Sequence, residues 1–180
     1  MAMTDSRIDL IEKTIRRIPD FPKPGILFRD ITPLLTDPKV LSVTLDVLQE
    51  GLDGQDLDRI VAIEARGFLF GAALADRMGI GLGLVRKKGK LPWKTESVTY
   101  DLEYGTDTVE MHLDAVSQGH RVWIIDDLLA TGGTAAAAVA LVRKMGGAVV
   151  GASFVVELDG LGGRARLADM EIQSLLRERE

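Results

Sequence analysis

Short, unbroken apolar runs separated by helix-length segments constrain this chain more than any other feature of it. Ile60-Val61-Ala62-Ile63, residues 82–85, Val122-Trp123-Ile124-Ile125 and residues 149–156 show no polar alternation, so each reads as a strand buried on both faces. Helical patterns over 68–78 and 134–145 fall between them. Strands of this kind joined by helices build a mostly parallel sheet flanked by helices, an α/β architecture. The rhythm breaks between Val85 and Val122. There, residues 86–98 read as a long loop, and 98–104 with 108–112 alternate like an antiparallel hairpin around Gly105-Thr106.

Ahead of the repeating part, Ile8, Ile11, Ile15 and Ile18 recur at helical spacing after Ser6, a plausible cap, which predicts an amphipathic helix over 7–17 that Pro19 ends. Pro19, Pro22 and Pro24 with Gly25 then stiffen the path to Ile26, Leu27 and Phe28, because proline fixes φ. Asp37-Pro38 opens a second helix with Leu41, Leu45, Leu48 and Leu52 on one face. The 180 residues fit one domain with a real core. Neither a repeat nor an interdomain linker interrupts them.

Composition narrows the chemistry. The chain has no cysteine, which removes disulfides, thiol catalysis and thiolate metal sites together, and its two histidines, His112 and His120, lack partner spacing. Both read as structural or solvent-exposed. Twenty-two basic against 27 acidic residues give a net charge of −5, which opposes non-specific nucleic-acid binding. A mean hydropathy of +0.12 excludes a largely disordered chain. No apolar run reaches the ~18 to 20 residues of a membrane span and the polar start lacks a signal-peptide core, so a cytoplasmic protein is expected.

The chemistry concentrates in Arg121-Val-Trp-Ile-Ile-Asp-Asp-Leu-Leu-Ala-Thr-Gly-Gly-Thr134, a buried strand ending in two carboxylates before a small-residue turn that starts a helix. Ligands of open α/β sheets bind at such strand ends. Thr131, Gly132, Gly133 and Thr134 can offer N–H groups and hydroxyls to a phosphate at the positive end of the next helix. Asp126 and Asp127 would repel one another and desolvate poorly unless hydroxyl donors or a cation used them, and ribose hydroxyls suit. The strand has the form of a Walker B segment, yet no G-x-x-x-x-G-K-[S/T] exists in the chain, so a P-loop is rejected. Gly160-Leu-Gly162-Gly-Arg-Ala165 fits a relaxed dinucleotide pattern, but too little chain follows to complete a βαβ unit, so it reads as a helix-entry turn. Gly79, Gly81 and Gly83 read as allowing close packing.

Arg86, Lys87, Lys88, Lys90 and Lys94 crowd one loop of an acidic protein. Two readings stay open for them: a solvated loop, or a lid that brings charge to a pyrophosphate. Glu64-Ala-Arg66-Gly-Phe68 lies at another strand end, where Arg66 can grip a phosphate with two N–H groups. Met3, Met78, Met111 and Met145 read as gap-fillers or surface residues and Trp123 as packed beside its strand.

Residues 122–134 resemble the phosphoribosyl-pyrophosphate signature of the type I phosphoribosyltransferases, with Asp126-Asp-Leu-Leu-Ala-Thr-Gly-Gly-Thr134 in the form its adenine-using members carry. Phe21-Pro-Lys-Pro-Gly-Ile-Leu-Phe-Arg-Asp30, Glu64-Ala-Arg-Gly-Phe-Leu-Phe-Gly71, Arg86-Lys-Lys-Gly-Lys-Leu-Pro92, Leu102-Glu-Tyr-Gly105 and Val156-Glu-Leu158 match in order. The resemblance implies the type I phosphoribosyltransferase fold as one domain over 1–180, with a small N-terminal hood from about 19–35 and a flexible lid loop and hairpin at about 86–104. It implies transfer of the phosphoribosyl group of 5-phosphoribosyl 1-pyrophosphate (PRPP) to adenine, giving AMP and pyrophosphate in purine salvage, with Mg²⁺, in a cytoplasmic homodimer without nucleic-acid or membrane partners.

Carried over by motif, the 5′-phosphate falls to Ala130, Thr131, Gly132, Gly133 and Thr134, and the ribose hydroxyls to Asp126 and Asp127. Arg66, Lys87 and Lys90 would meet pyrophosphate, and Glu64–Ala65 would be a cis peptide. Adenine would lie between Phe28 and Leu158, with backbone near Leu27 reading its edge and Arg29 supporting the hood. Catalysis would involve Arg66, Asp127, Glu103 as handler of the purine proton and Tyr104 as a closing residue, with Mg²⁺ held mainly by the substrate rather than by a protein cage. Glu103 also reads as a solvated hairpin carboxylate. Trp93-Lys94, after Leu-Pro, stands where the family varies. Two rivals remain: a purine-sensing regulator of the same fold, for which only 20 residues precede Phe21 to supply a DNA-binding part, and a transferase for xanthine or hypoxanthine.

Overall fold

The computed structural model describes residues 5–101 and 105–179 and divides into two compact units, Met1–Glu50 and Gly51–Glu180. In the first, α1 (Ser6–Thr14) is followed by strand β1 (Arg16–Ile18), strand β2 (Phe28–Asp30), and helices α2 (Thr32–Thr36) and α3 (Pro38–Glu50). The first helix is shorter than its spacing predicts. Its cap is Asp5, whose Oδ1 accepts from Arg7 N at 2.9 Å, in place of Ser6. It ends at Thr14 because Arg16–Ile18 pairs antiparallel with Phe28–Asp30 and claims those residues as strand. Asp37 caps the start of α3, its Oδ1 accepting from Lys39 N at 2.9 Å and Val40 N at 3.2 Å. Ile11, Leu34 and Leu48 are wholly buried.

The second unit carries β3 (Arg59–Ile63), α4 (Gly67–Met78), β4 (Gly81–Lys87), β5 (Thr95–Asp101), β6 (Thr106–His112), β7 (Arg121–Leu129), α5 (Gly133–Lys144), β8 (Ala148–Asp159), α6 (Gly163–Arg166) and β9 (Glu171–Arg179). Its seven strands run in the order β5-β6-β4-β3-β7-β8-β9. The run from β4 to β9 is parallel, and β6 and β5 add antiparallel pairs at one edge. The α/β reading therefore holds: helices lie on both faces. On one, a Cβ built on Gly71 of α4 would meet Ala62 Cβ at 2.6 Å and Ile60 Cγ2 at 3.6 Å. On the other, Val61, Ile63, Ile124 and Phe154 pack with Ala138, Leu141 and Val142 of α5.

Three local readings are corrected. The loop at 86–98 is shorter, because Arg86 and Lys87 pair with Glu110 and Val109, and Thr95 to Val98 already belong to the hairpin. The strand carrying the acidic pair runs two residues past Asp127, since the long β8 continues to pair with it as far as Leu129↔Glu157. A parallel strand does follow Gly160–Ala165. The four residues of α6 suffice as crossover, and β9 pairs with β8 from Gly151↔Glu171 to Asp159↔Arg179. Trp123 is fully buried and donates from Nε1 to Ser153 Oγ at 2.8 Å.

Candidate active site

The carboxyl ends of β3, β4 and β7 open into one cleft of about 320 Å³, lined by Glu64, Ala65, Arg66, Lys87 and residues 126–135. The topology explains the meeting. In parallel strands the carboxyl ends lie together, and β3 sits between β4 and β7.

After β7 the chain turns through Ala130 and Thr131 into Gly132, whose φ of +77° is left-handed. Gly132 heads α5 without a side-chain cap, so the first N–H groups of the helix are left to face an anion at its positive end. A Cβ on Gly132 would stand 2.9 Å from the backbone of Gly163, and one on Gly163 would stand 2.3 Å from Ala130 O. Two glycine turns thus touch backbone to backbone. The Gly160–Ala165 segment, which does enter helix α6 as read, also braces the turn at 130–134.

Asp127 is buried, and its Oδ2 accepts from Arg66 Nε at 2.5 Å. Asp126 stands against the first residue of α4: a Cβ on Gly67 would lie 2.8 Å from Ile125 O and 3.0 Å from Asp126 Oδ1. Its Oδ1 accepts from Asp127 N at 2.9 Å. Although part of its residue surface is open to the cleft, the protein packed around its carboxyl, and after that the Asp127 charge, push its pKa well above the ordinary carboxylate range. The Glu64–Ala65 peptide is cis.

Glu64 gathers the cations that the sequence crowds into one loop. Its Oε1 accepts from Lys90 Nζ, its Oε2 from Lys87 N at 2.9 Å, and Arg86 Nε lies 3.5 Å from Oε2. Burial works against the Glu64 charge, but the Lys90 hydrogen bond and the Lys87 N–H outweigh it and lower the pKa. Lys87 Nζ is paired with Asp107 Oδ2 and donates to Tyr100 Oη at 3.2 Å, while Tyr100 Oη and Thr134 Oγ1 share a hydrogen bond of 3.0 Å. Burial opposes the ammonium, yet Asp107 and Tyr100 leave its pKa raised.

The structure thus gathers Arg66, Lys87, Asp126, Asp127 and Ala130, Thr131, Gly132, Gly133 and Thr134 around one cleft, with Lys90 joined to it through Glu64. In the first unit, Arg29 is buried and donates to Leu27 O at 2.5 Å, and Phe28 meets Phe21 edge-on at 5.1 Å. Leu158 is buried in β8. Glu103 and Tyr104 lie outside the described residues. Tyr100 and Asp107 escaped the sequence reading. Their signal is the alternation of Val98 and Tyr100 in β5, both packed on the core beneath α5, with Asp107 directly opposite Tyr100. Among the histidines, His120 Nδ1 accepts from Ser117 N at 3.2 Å, and His112 lies edge-on to Trp93.

The phosphoribosyl transferase domain model matches residues 44–170. An adenine phosphoribosyltransferase of Thermobifida fusca is 54% identical over 166 residues, 92% of this chain and 94% of that one. The crystal structure of adenine phosphoribosyltransferase from Thermoanaerobacter pseudethanolicus is 52% identical, with a TM-score of 0.92 over 95% of this chain and 99% of that one. The Saccharomyces cerevisiae enzyme, complexed with an imino-altritol bisphosphate and adenine, is 39% identical with a TM-score of 0.89 over 94% and 98%. With a fold, a cleft and relatives that agree along almost its whole length, the chain belongs to the phosphoribosyltransferase family, among the adenine phosphoribosyltransferases.

Proposed function

We propose that this chain transfers the 5-phosphoribosyl group from PRPP to adenine, giving AMP and pyrophosphate, a step of purine salvage. The observation that carries the reading is the convergence of an uncapped, glycine-opened helix start, an acidic pair and the cations Arg66 and Lys87 on one cleft. No single strand end supplies all three.

In this reading the 130–134 turn holds the 5′-phosphate and Asp126 and Asp127 take the ribose hydroxyls, leaving the anomeric carbon toward Arg66 and Lys87. A transition state with positive charge on the ribose and negative charge on the departing pyrophosphate is then met by a carboxylate on one side and cations on the other. Arg66, whose guanidinium holds Asp127, meets pyrophosphate in this reading, with Lys87 and Lys90 beside it. Adenine recognition falls to Phe28, with backbone at Leu27 braced by Arg29. Glu103 takes the purine proton, and Tyr104 closes the site against water.

Mg²⁺ fits as a companion of PRPP. Of the acidic pair, Asp127 Oδ2 is already engaged by Arg66 and Asp126 resists ionisation, and no group of three acidic or histidine side chains suited to a metal occurs among the described residues. The ion would be held mainly by substrate oxygens and would supply charge neutralisation of the pyrophosphate. A cytoplasmic homodimer is the assembly we infer. No helix among the described residues is long and apolar enough to cross a membrane.

Pyrophosphate release measured with adenine, hypoxanthine and xanthine in parallel tests the reading. Adenine-dependent release is expected; silence with all three bases would leave a binding module, and preference for another base would move the specificity.

A further inference from the structure

Lys87 is the last residue of β4 and lines the cleft, while its ammonium is drawn to the neighbouring hairpin. The register explains this. Lys87 lies opposite Val109, which places Asp107 two residues along β6 on the same face, within diagonal reach of a lysine. Tyr100 stands directly opposite Asp107 on β5. Ammonium, carboxylate and phenol therefore form one cluster, and Tyr100 extends it to Thr134 of the phosphate turn. Asp107 is held on strand backbone and is not among the residues lining the cleft. The lysine and carboxylate side chains keep 42% and 28% of their surface exposed, so the pair is weak enough to break.

We propose that Asp107 is a positioning residue of the transfer: a built-in carboxylate that competes with pyrophosphate for Lys87 and recaptures the lysine as that product leaves. The idea rests on the reading that Lys87 meets pyrophosphate. A pyrophosphate carries more negative charge than one carboxylate and wins the lysine while bound; Asp107 shortens its stay by offering the ammonium another anion. Tyr100, bonded to both Lys87 and Thr134, keeps the exchange beside the turn.

Inhibition by added pyrophosphate against PRPP, measured on Asp107→Asn, Asp107→Ser, Asp107→Glu, Lys87→Ala and the Lys87→Ala/Asp107→Asn double variant, decides the matter, with thermal melting as the fold control. Asp107→Asn and Asp107→Ser should each lower the pyrophosphate inhibition constant about two- to fivefold, the scale of a half-exposed ion pair, and Asp107→Glu should return it toward the parent value. Lys87→Ala should raise the constant, and adding Asp107→Asn to it should change nothing further. A raised constant in Asp107→Asn would mean that the carboxylate aims the lysine at the product, and an equal drop in the Lys87→Ala background would mean a general charge effect; either overturns the proposal alone. An unchanged constant in Lys87→Ala would remove Lys87 from pyrophosphate, and with it the reading beneath.

Discussion

Arg66 Nε and Asp127 Oδ2 stand 2.5 Å apart and tie the head of α4 to the far end of β7. Arg66 keeps 42% of its side chain exposed against 9% for Asp127, so the pair contributes little to stability while setting where both groups point. Asp127→Asn keeps an acceptor and loses the charge. We expect turnover to fall about tenfold or more, the value of a hydrogen bond to a charged group, with a small change in melting temperature. Steady-state kinetics and melting on the same sample check this, and unchanged kinetics would end the ribose role of Asp127.

Phe28 is half-buried on β2 and leans on Phe21. A stacking contact is worth roughly 1–3 kcal/mol by alanine substitution in nucleic-acid complexes, so Phe28→Ala should raise the KM for adenine about tenfold while the KM for PRPP moves much less. A large melting drop with equal loss toward both substrates would show a packing residue instead.

Gly163 lies outside the cleft, yet a Cβ there would meet Ala130 O at 2.3 Å. Gly163→Ala must push the turn at 130–134 or its own loop aside, at a cost of about 1–3 kcal/mol. The KM for PRPP should rise more than that for adenine, a split that titration calorimetry with PRPP can confirm.

Glu157 is almost fully buried and accepts from Arg164 Nη2 at 2.6 Å and Ser174 Oγ at 2.6 Å. Burial opposes its charge, but Arg164 and Ser174 outweigh it and hold its pKa below the ordinary 4.5. A carboxyl whose pKa is lower in the folded chain stabilises fully above its unfolded value and loses that contribution as pH falls through the folded one. Glu157→Gln should therefore cost about 1–3 kcal/mol at pH 7, discounted from a fully buried pair because Arg164 is partly exposed. The two proteins should converge in denaturant melts as pH falls from the ordinary 4.5 through the lower folded value; a constant gap across that range would refute the linkage.

The parallel strands were legible because a strand covered on both faces must be apolar throughout, as Ile60 to Ile63 and Val122 to Ile125 are. The turn after β7 was legible because glycine and small hydroxyl residues after a strand suit a tight entry into a helix, as Gly132 and α5 show. What stayed hidden depends on pairing between distant residues. Glu171–Arg179 is an edge strand rich in charge, and only the length of β8 gives it a partner. Tyr100 and Asp107 matter through cross-strand register: alternation in β5 puts Tyr100 on the core face, but only pairing sets Asp107 opposite it. The three residues Arg16–Ile18 that end α1 early do so by pairing with Phe28–Asp30, again a non-local demand.

The strand order has a further meaning for how this molecule can fail. Arg66, Lys87 and the 130–134 turn reach the cleft from three separate strands, each far from the others in the chain. Such a cleft cannot survive as a local island: it exists only while β4, β3 and β7 lie side by side. Heat inactivation should therefore coincide with global melting of the sheet, and a chain caught midway through folding should be wholly inert, with no partial activity to mark its progress.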